Sequence, residues 1–347
     1  MRFPSPVVVM PSCQGVWWGL PILALCLAGP AAPRANAGPA EDRAALVEGV
    51  AAIAAPGIPG PVCVVGKDAF AVVAGRSDAA QAAIVAAGTA GAGRVVALGH
   101  NGYLAQQAIA TADTGRLWLN AVRWAGRGAA PKVAVVQADD LAAHLTANGL
   151  AVTAVDVEGL PPLPPDVQVV CLDAHRLHTQ AEVDALAALL ARGGGVVIAA
   201  TGWGWVQLNP GKAINRDFLG NAVLLRAGLA FSAAMSERTS WQGFAVTPEI
   251  SPFLNAGTAL EALLAQKAGT QNLSAEEQKQ ISAVLPQAAR AMNAADSAFL
   301  PRIEALVAGH SASIIPTRKD PVRASDGLRR LVVSLQADRL ARTPADE

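Results

Sequence analysis

The chain has 347 residues, 52% of them apolar, 16% charged and only 4% aromatic, which is length enough for one large core or two modest ones. Lys and Arg number 27 and Asp and Glu number 27. That balance excludes the single-sign field that nucleic acid or an anionic membrane surface selects, and no nucleic-acid partner is expected.

Residues 1–37 read as a secretory leader. Arg2 supplies a thin positive start, residues 17–29 an apolar core, and Ala35-Asn36-Ala37 a small-x-small cleavage site. The reading predicts an exported chain, periplasmic or extracellular. An uncleaved membrane anchor is the alternative, because apolar residues begin at Val7. No later segment reaches membrane-spanning length, so no span is expected after leader removal. Cys63 and Cys171 then remain, either bridged in an oxidising compartment or buried as free thiols.

Residues 38–58 are Ala-rich and helix-like until Pro56, Pro59 and Pro61 intervene. Apolar runs at 61–66 and 69–75 read as buried strands. Residues 84–87 and 94–98 flank Gly88, Gly91 and Gly93, which predicts a hairpin and not a nucleotide loop. A helix follows through Trp124, with Leu117, Ala121 and Trp124 on one face. Residues 132–136 form a strand, Asn148-Gly149 stops the next helix, and 151–157 is another strand. A Pro-rich connector at 161–165 leads to a strand at 167–172, a helix at 182–190, and a buried strand at 196–200. Strand and helix alternating from 132 to 200 predict a helix-flanked, mostly parallel α/β sheet. From about residue 255 the pattern turns helical, with a capping box at Ser274-Ala275-Glu276-Glu277 and a second helix over 325–342. The expected organisation is a leader over 1–37, an α/β domain over 38–250 and a helical extension over 251–347.

Two of the predicted strands end at polar and imidazole groups: Leu98-Gly99-His100-Asn101-Gly102-Tyr103 and Leu172-Asp173-Ala174-His175. Parallel sheets place their ligand crevices at that carboxyl edge. His100, Asn101, Tyr103, Asp173 and His175 are therefore the candidate ligand-binding residues, with Trp203 and Trp205 as a stacking rim. His100 could equally cap the following helix, and one of the two tryptophans could be a buried anchor. His175 and His178, with Asp173 or Glu182, have spacing that suits a metal. The same groups are ordinary for a polar strand-to-helix loop, and neither a metal nor a cofactor is expected. His144 and His310 sit in ordinary helix or loop contexts. Cys171 lies in Val169-Val170-Cys171-Leu172-Asp173 with no flanking glycine to form a nucleophile elbow, so it reads as a sheet-interior thiol and no catalytic residue is assigned.

Three segments together resemble the N-terminal region of the TRP-channel-associated factors and their bacterial relatives. They are Gly93 to Leu104 with Asn120-Ala121-Val122-Arg123-Trp124, Asp173-Ala174-His175 with Gly193-Gly194-Gly195, and Gly202-Trp203-Gly204-Trp205 with Asn209-Pro210-Gly211-Lys212 and Asp217-Phe218-Leu219-Gly220-Asn221. Asp320-Pro321-Val322-Arg323-Ala324-Ser325-Asp326 extends the likeness. The resemblance implies a class I glutamine amidotransferase-like, flavodoxin-like fold. It also implies an association with an enhancin-type zinc metallopeptidase module of peptidase family M-sixty. The His-Glu-x-x-His motif of that module does not occur in this sequence, so its protease chemistry is not carried over. The resulting expectation is a non-catalytic accessory protein that binds a glycan, glycoprotein or protein partner. The alternative is a hydrolase or amidase using His100 or His175 with Cys171 or a bound metal.

Overall fold

The computed structural model describes residues 38–77, 80–293, 296 and 298–311. The expected leader over 1–37, the resemblance at 320–326 and the helix expected over 325–342 lie outside the described residues.

The described residues open with α1 (Pro39–Leu46), and the helix expected as far as residue 58 stops there. Gly49 follows at φ +67, and β1 (Ala52–Ala54) and β2 (Val62–Val64) come next. Of the hairpin strands β3 (Phe70–Ser77), β4 (Ala80–Ala90) and β5 (Gly93–Leu98), β4 pairs antiparallel with both β3 and β5. Helices α2 (Gln106–Ile109) and α3 (Thr114–Ala125) lead to β6 (Lys132–Val136), α4 (Asp139–Ala147) and β7 (Ala151–Val155). After the Pro-rich connector come β8 (Val169–Asp173), α5 (Gln180–Ala191) and β9 (Gly195–Ala199). Then follow α6 (Gly202–Leu208), α7 (Ile214–Asp217), α8 (Leu219–Leu224), β10 (Leu229–Phe231) and β11 (Gly243–Ala245). The last described elements are α9 (Ala256–Lys267), α10 (Ala275–Ala291) and α11 (Leu300–Ser311).

Seven strands form the central sheet in the order β3-β4-β5-β9-β8-β6-β7. From β5 to β7 every neighbouring pair is parallel. Both faces are covered, and alternate residues of each strand feed opposite cores. Val96, Leu98, Cys171 and Val197 pack toward α3 and α4, while Val95, Ala97, Leu172 and Ile198 pack toward α5 and α8. Each fully buried Val or Leu contributes roughly 1.5–3 kcal/mol, so the apolar runs alone account for the sheet's place at the centre.

The run expected as the first strand of the main sheet lies elsewhere. β2 pairs with β10 in a separate antiparallel ribbon, and β1 pairs with β11 in another. The third core cluster packs α9 and α10 against the β2–β10 ribbon through Cys63 and Ala230. The capping box at Ser274 is formed: its hydroxyl accepts from the Glu277 amide, and the Glu277 carboxylate accepts from the Ser274 amide at 2.7 Å.

The segment joining β1 to β2 is fastened onto the end of β5. The Gly60 amide donates to the Gly99 carbonyl at 2.8 Å, and a methyl group on Gly99 would land on the Gly60 carbonyl. Only a residue without Cβ permits that approach. Gly99→Ala is expected to lower stability by about 2 kcal/mol or more, since neither backbone can yield without breaking this bond. Urea unfolding of the two proteins measures it, and an unchanged midpoint would show that the contact is slack.

Candidate functional site

The carboxyl ends of β5, β9, β8 and β6 are adjacent, and each presents a polar residue. His100 and Asn101 follow β5, Thr201 follows β9, Asp173 closes β8, and Gln137 follows β6. Asn101 joins three of these ends. Its side-chain amide donates to Asp173 Oδ2 at 3.1 Å, and its carbonyl accepts from the Thr201 hydroxyl at 3.1 Å. The Asn101 side chain therefore spans β9 to connect β5 with β8.

Asp173 also caps the short turn that follows it. Its Oδ1 accepts from the His175 amide at 2.9 Å and from His175 Nδ1 at 2.6 Å. Burial pushes the Asp173 carboxyl up, but the His175 ring, the His175 amide and Asn101 together outweigh it and hold the group below the ordinary carboxylate range. The His175 ring leans on Phe218 with centroids 5.7 Å apart. Its orientation is thus fixed by one carboxylate and one aromatic face.

His100 is arranged differently. Its Nδ1 accepts from the Gly102 amide at 2.8 Å, which assigns the ring hydrogen of the neutral form to Nε2. Nε2 faces the backbone of Gly57, where a methyl group would sit 2.9 Å away. Burial lowers the His100 pKa, and the charge of His175 lowers it further against the opposing pull of Asp173. One imidazole is held neutral beside another that is paired with an acid.

A cleft of about 580 Å³ opens over these strand ends, lined by His100, Asn101, Gln137, Asp139, Asp173 and Arg176 among others. It lies where the topology reverses. The chain leaves β6 through α4, which packs on the α3 face, and leaves the neighbouring β8 through α5, which packs on the opposite face. Helices departing in opposite directions leave a gap between them. Gln137, Asp139 and Arg176 were missed by sequence reasoning, although Gln137-Ala138-Asp139-Asp140 directly follows the strand at 132–136. The same strand-end rule that singled out His100 would have found them.

Two expected ligand contacts are corrected. Tyr103 is fully buried, and its hydroxyl donates to the Ala54 carbonyl at 2.7 Å, so it belongs to the core. Trp205 is buried against Phe218, with ring centroids 5.0 Å apart. The cause is that the Gly202-Trp203-Gly204-Trp205 segment is helical in α6, so residues two apart face different ways. Trp203 stays half-buried, its indole N–H donating to the Ile58 carbonyl at 2.9 Å. Ile58 adjoins Gly57, which faces the His100 ring, but Trp203 itself is not among the residues that line the cleft.

The alternative chemistries lose their partners. Cys171 is fully buried on the α3 side of the sheet, and burial raises its thiol pKa. The Cys63 thiol is pushed up to about 12 by burial, partly offset by a bond with Ser232, and the two cysteines are unpaired in separate core clusters. The Glu182 carboxylate accepts from the Leu160, His178 and Thr179 amides, and the His178 ring lies 3.7 Å from Glu158. Among the described residues no three His, Cys, Asp or Glu side chains converge as metal ligands.

Two outcomes follow from the network. Asn101→Ala strips a partner from buried Thr201 and from Asp173, and is expected to cost about 1–3 kcal/mol in urea unfolding. A loss below a few tenths would mean that water replaces the amide without penalty. His100 titrates below its ordinary range, so the unfolded chain takes up the proton first as pH falls. The stability tied to neutral His100 is present above about pH 6.5 and is lost as pH drops toward the folded value. His100→Asn keeps an acceptor for Gly102 and should flatten the stability slope between about pH 7.5 and 5.5. Equal slopes in both proteins would remove His100 from the account.

Residues 30–245 match the family described as "TRPM8, N-terminal domain". TRPM8 channel-associated factor 2 of Bos taurus is 33% identical over 193 residues, and that of Homo sapiens is 33% identical over 193 residues, each alignment covering 55% of this chain. The chain spans 19% of the length of these curated relatives. Among solved structures, IMPa from Pseudomonas aeruginosa in complex with an O-glycopeptide is similar with a TM-score of 0.49 at 13% identity, covering 86% of this chain and 37% of that one. The relatives are named as factors associated with the TRPM8 channel and not as exported proteins, which corrects the expected periplasmic or extracellular location. Among the described residues no helix is long and apolar enough to cross a membrane. Since the matched stretch covers more than half of the sequence, the chain belongs to the TRPM8 channel-associated factor N-terminal domain family.

Proposed function

We propose that this chain is an accessory binding module, not a catalyst, and that it docks a protein partner through the cleft over the strand ends. The observation that carries the reading is the Asn101–Asp173–His175 network. It orients polar groups toward an open cleft while Cys171, the nearest thiol in sequence, is sealed in the sheet interior. His175 does not itself line the cleft; it holds Asp173, which with Asn101 does, and polar groups so held are suited to hydrogen bonding a ligand. The relatives are named for association with a channel protein, which supports a protein as the partner class.

A glycan or glycoprotein ligand is the narrower form of the same reading. The half-exposed Trp203 supports it, since an indole face open to solvent suits stacking against a sugar, although Trp203 is not among the residues that line the cleft.

Ala105 is exposed and lines the cleft, so Ala105→Arg fills the opening without disturbing the core. The full chain and this variant are compared in affinity capture, with Lys279→Ala on the exposed face of α10 as the control. Partners held by the parent and the control but lost from Ala105→Arg are the expected result. Identical capture by all three would place docking elsewhere.

A further inference from the structure

The outer edge of the central sheet carries an unfilled position. β3 is the terminal strand, bonded to β4 along one side only. Opposed pairs in an antiparallel ladder alternate, so every second residue of an edge strand turns its N–H and C=O away from the neighbouring strand. Arg76 is one such residue, and both its groups are met, by Glu237 at 3.3 and 2.7 Å. Ala74, two residues back in the same regular stretch and opposite Ala83, is the next. Neither its N–H nor its C=O finds a partner among the described residues, although Ala74 is only 8% exposed. Buried main-chain groups are nearly always paired, so two unmet groups on one residue mark a place that another molecule fills.

The surroundings give that place its size. The segment carrying Glu237 lies antiparallel to the β3 edge, and continuing straight it would set Thr239 opposite Ala74. Thr239 turns away instead, its amide donating to the Gly243 carbonyl at 3.0 Å to close a hairpin into β11. At the other end Arg43 crosses from the Val72 carbonyl at 3.2 Å to the Thr247 carbonyl at 2.6 Å. A cavity of about 400 Å³ opens here, lined by Ala74, Gln81, Thr239 and Thr247 and by Glu276 and Gln280 of α10. Val72 and Arg76 are about 13 Å apart at strand spacing, room for roughly three extended residues. The turn between Thr239 and Gly243 also holds Trp241, which is 86% exposed. Tryptophan is seldom left so open, and indoles in such positions anchor contacts between proteins.

We propose that this slot is a strand-addition site for a short extended segment of a partner polypeptide. One residue of the segment pairs its C=O and N–H with those of Ala74, and an apolar side chain of the partner covers Trp241. The open groups choose this occupant over its rivals. A carboxylate or phosphate satisfies the Ala74 N–H but brings no donor for the carbonyl, whereas one peptide residue supplies both at ladder spacing. A second copy is hindered, because its own Ala74 is recessed between the same two stops and the edges cannot meet. The slot and the strand-end cleft share no lining residue, so this is a second surface and does not depend on the first.

The test follows the Ala74 amide and the Trp241 indole N–H by NMR in the full chain. In the free protein the Ala74 amide hydrogen is expected to exchange with solvent faster than that of Arg76. Acetyl-Thr-Val-Thr-Val-Thr-amide should shift both resonances and slow that exchange. The same peptide N-methylated at all five residues and ended as a dimethylamide has lost its main-chain donors, and should bind about tenfold more weakly. Trp241→Ala should weaken the parent peptide by about fivefold or more. Ala74→Pro would remove the donor but endangers the strand, so the methylated peptide makes the same deletion from the ligand's side. An Ala74 amide that is silent to the peptide, equal binding of the methylated form or an unaffected Trp241→Ala variant would each overturn the assignment. So would an Ala74 shift that grows with protein concentration alone, which would make a second copy the occupant. Ala105→Arg should leave the titration unchanged, which keeps failure here distinct from failure at the cleft.

Discussion

The governing constraint is that the middle strands of the sheet, β5, β9, β8 and β6, have no wet face. From β5 to β6 the strands bury alternate residues in two separate cores, so no polar side chain can leave a strand without entering hydrocarbon. Their backbone groups are consumed in parallel ladders. Polar chemistry is left to the two edges: Arg94 and Lys132 leave at the amino edge, and His100, Asn101, Thr201, Asp173 and Gln137 gather at the carboxyl edge. The cleft then follows from connectivity. Because α4 and α5 go to opposite faces, nothing closes the gap above β6 and β8.

The edge is electrostatically settled before any ligand arrives. Asp173 keeps its charge although burial opposes it, because a ring N–H, a main-chain N–H and an amide all converge on its two oxygens. That fixed anion holds the Nδ1 proton of His175 in place. His100, pressed against Gly57, has its pKa lowered first by burial and then by the neighbouring His175, against the pull of Asp173. The result is one neutral and one acid-paired imidazole at a defined separation of roles, with Arg176 as the unengaged cation nearby.

How much of this was readable depends on the range of the interaction involved. The hairpin at Gly91, the strand ends at His100 and Asp173 and the capping box at Ser274 were legible, because each is decided by residues within a few positions. The ribbons were not. β1 finds β11 and β2 finds β10 across more than a hundred residues, and nothing in the apolar run at 61–66 distinguishes a ribbon from a sheet strand. Side-chain direction after a strand end was equally hidden. Tyr103 follows His100 by only three residues, yet a 3-10 turn over Asn101–Leu104 carries it inward to Ala54 while His100 stays at the cleft. Gln137 carried no residue-type signal at all, since its distinction lies in a backbone angle and an unmet oxygen.

The rim of the cleft depends on parts of the fold that never touch it. Ser232 and Ser236 donate their amides to the Pro61 and Pro59 carbonyls, which lashes the 56–61 segment to the β10 side of its ribbon. The ribbon is in turn seated by Cys63 and Ala230 in the cluster built from α9 and α10. The Gln81 main chain and the Gln280 side chain exchange two bonds of 2.8 Å, tying α10 to β4 of the central sheet. The segment so positioned sets Gly57 against the His100 ring and offers the Ile58 carbonyl to Trp203. The segment is thus held from two sides, by the ribbon seated on α10 and by the Gly60–Gly99 bond at the end of β5. The late helices act on the strand-end site through backbone placement, which is why a cleft made of loop residues can be held to a fixed shape.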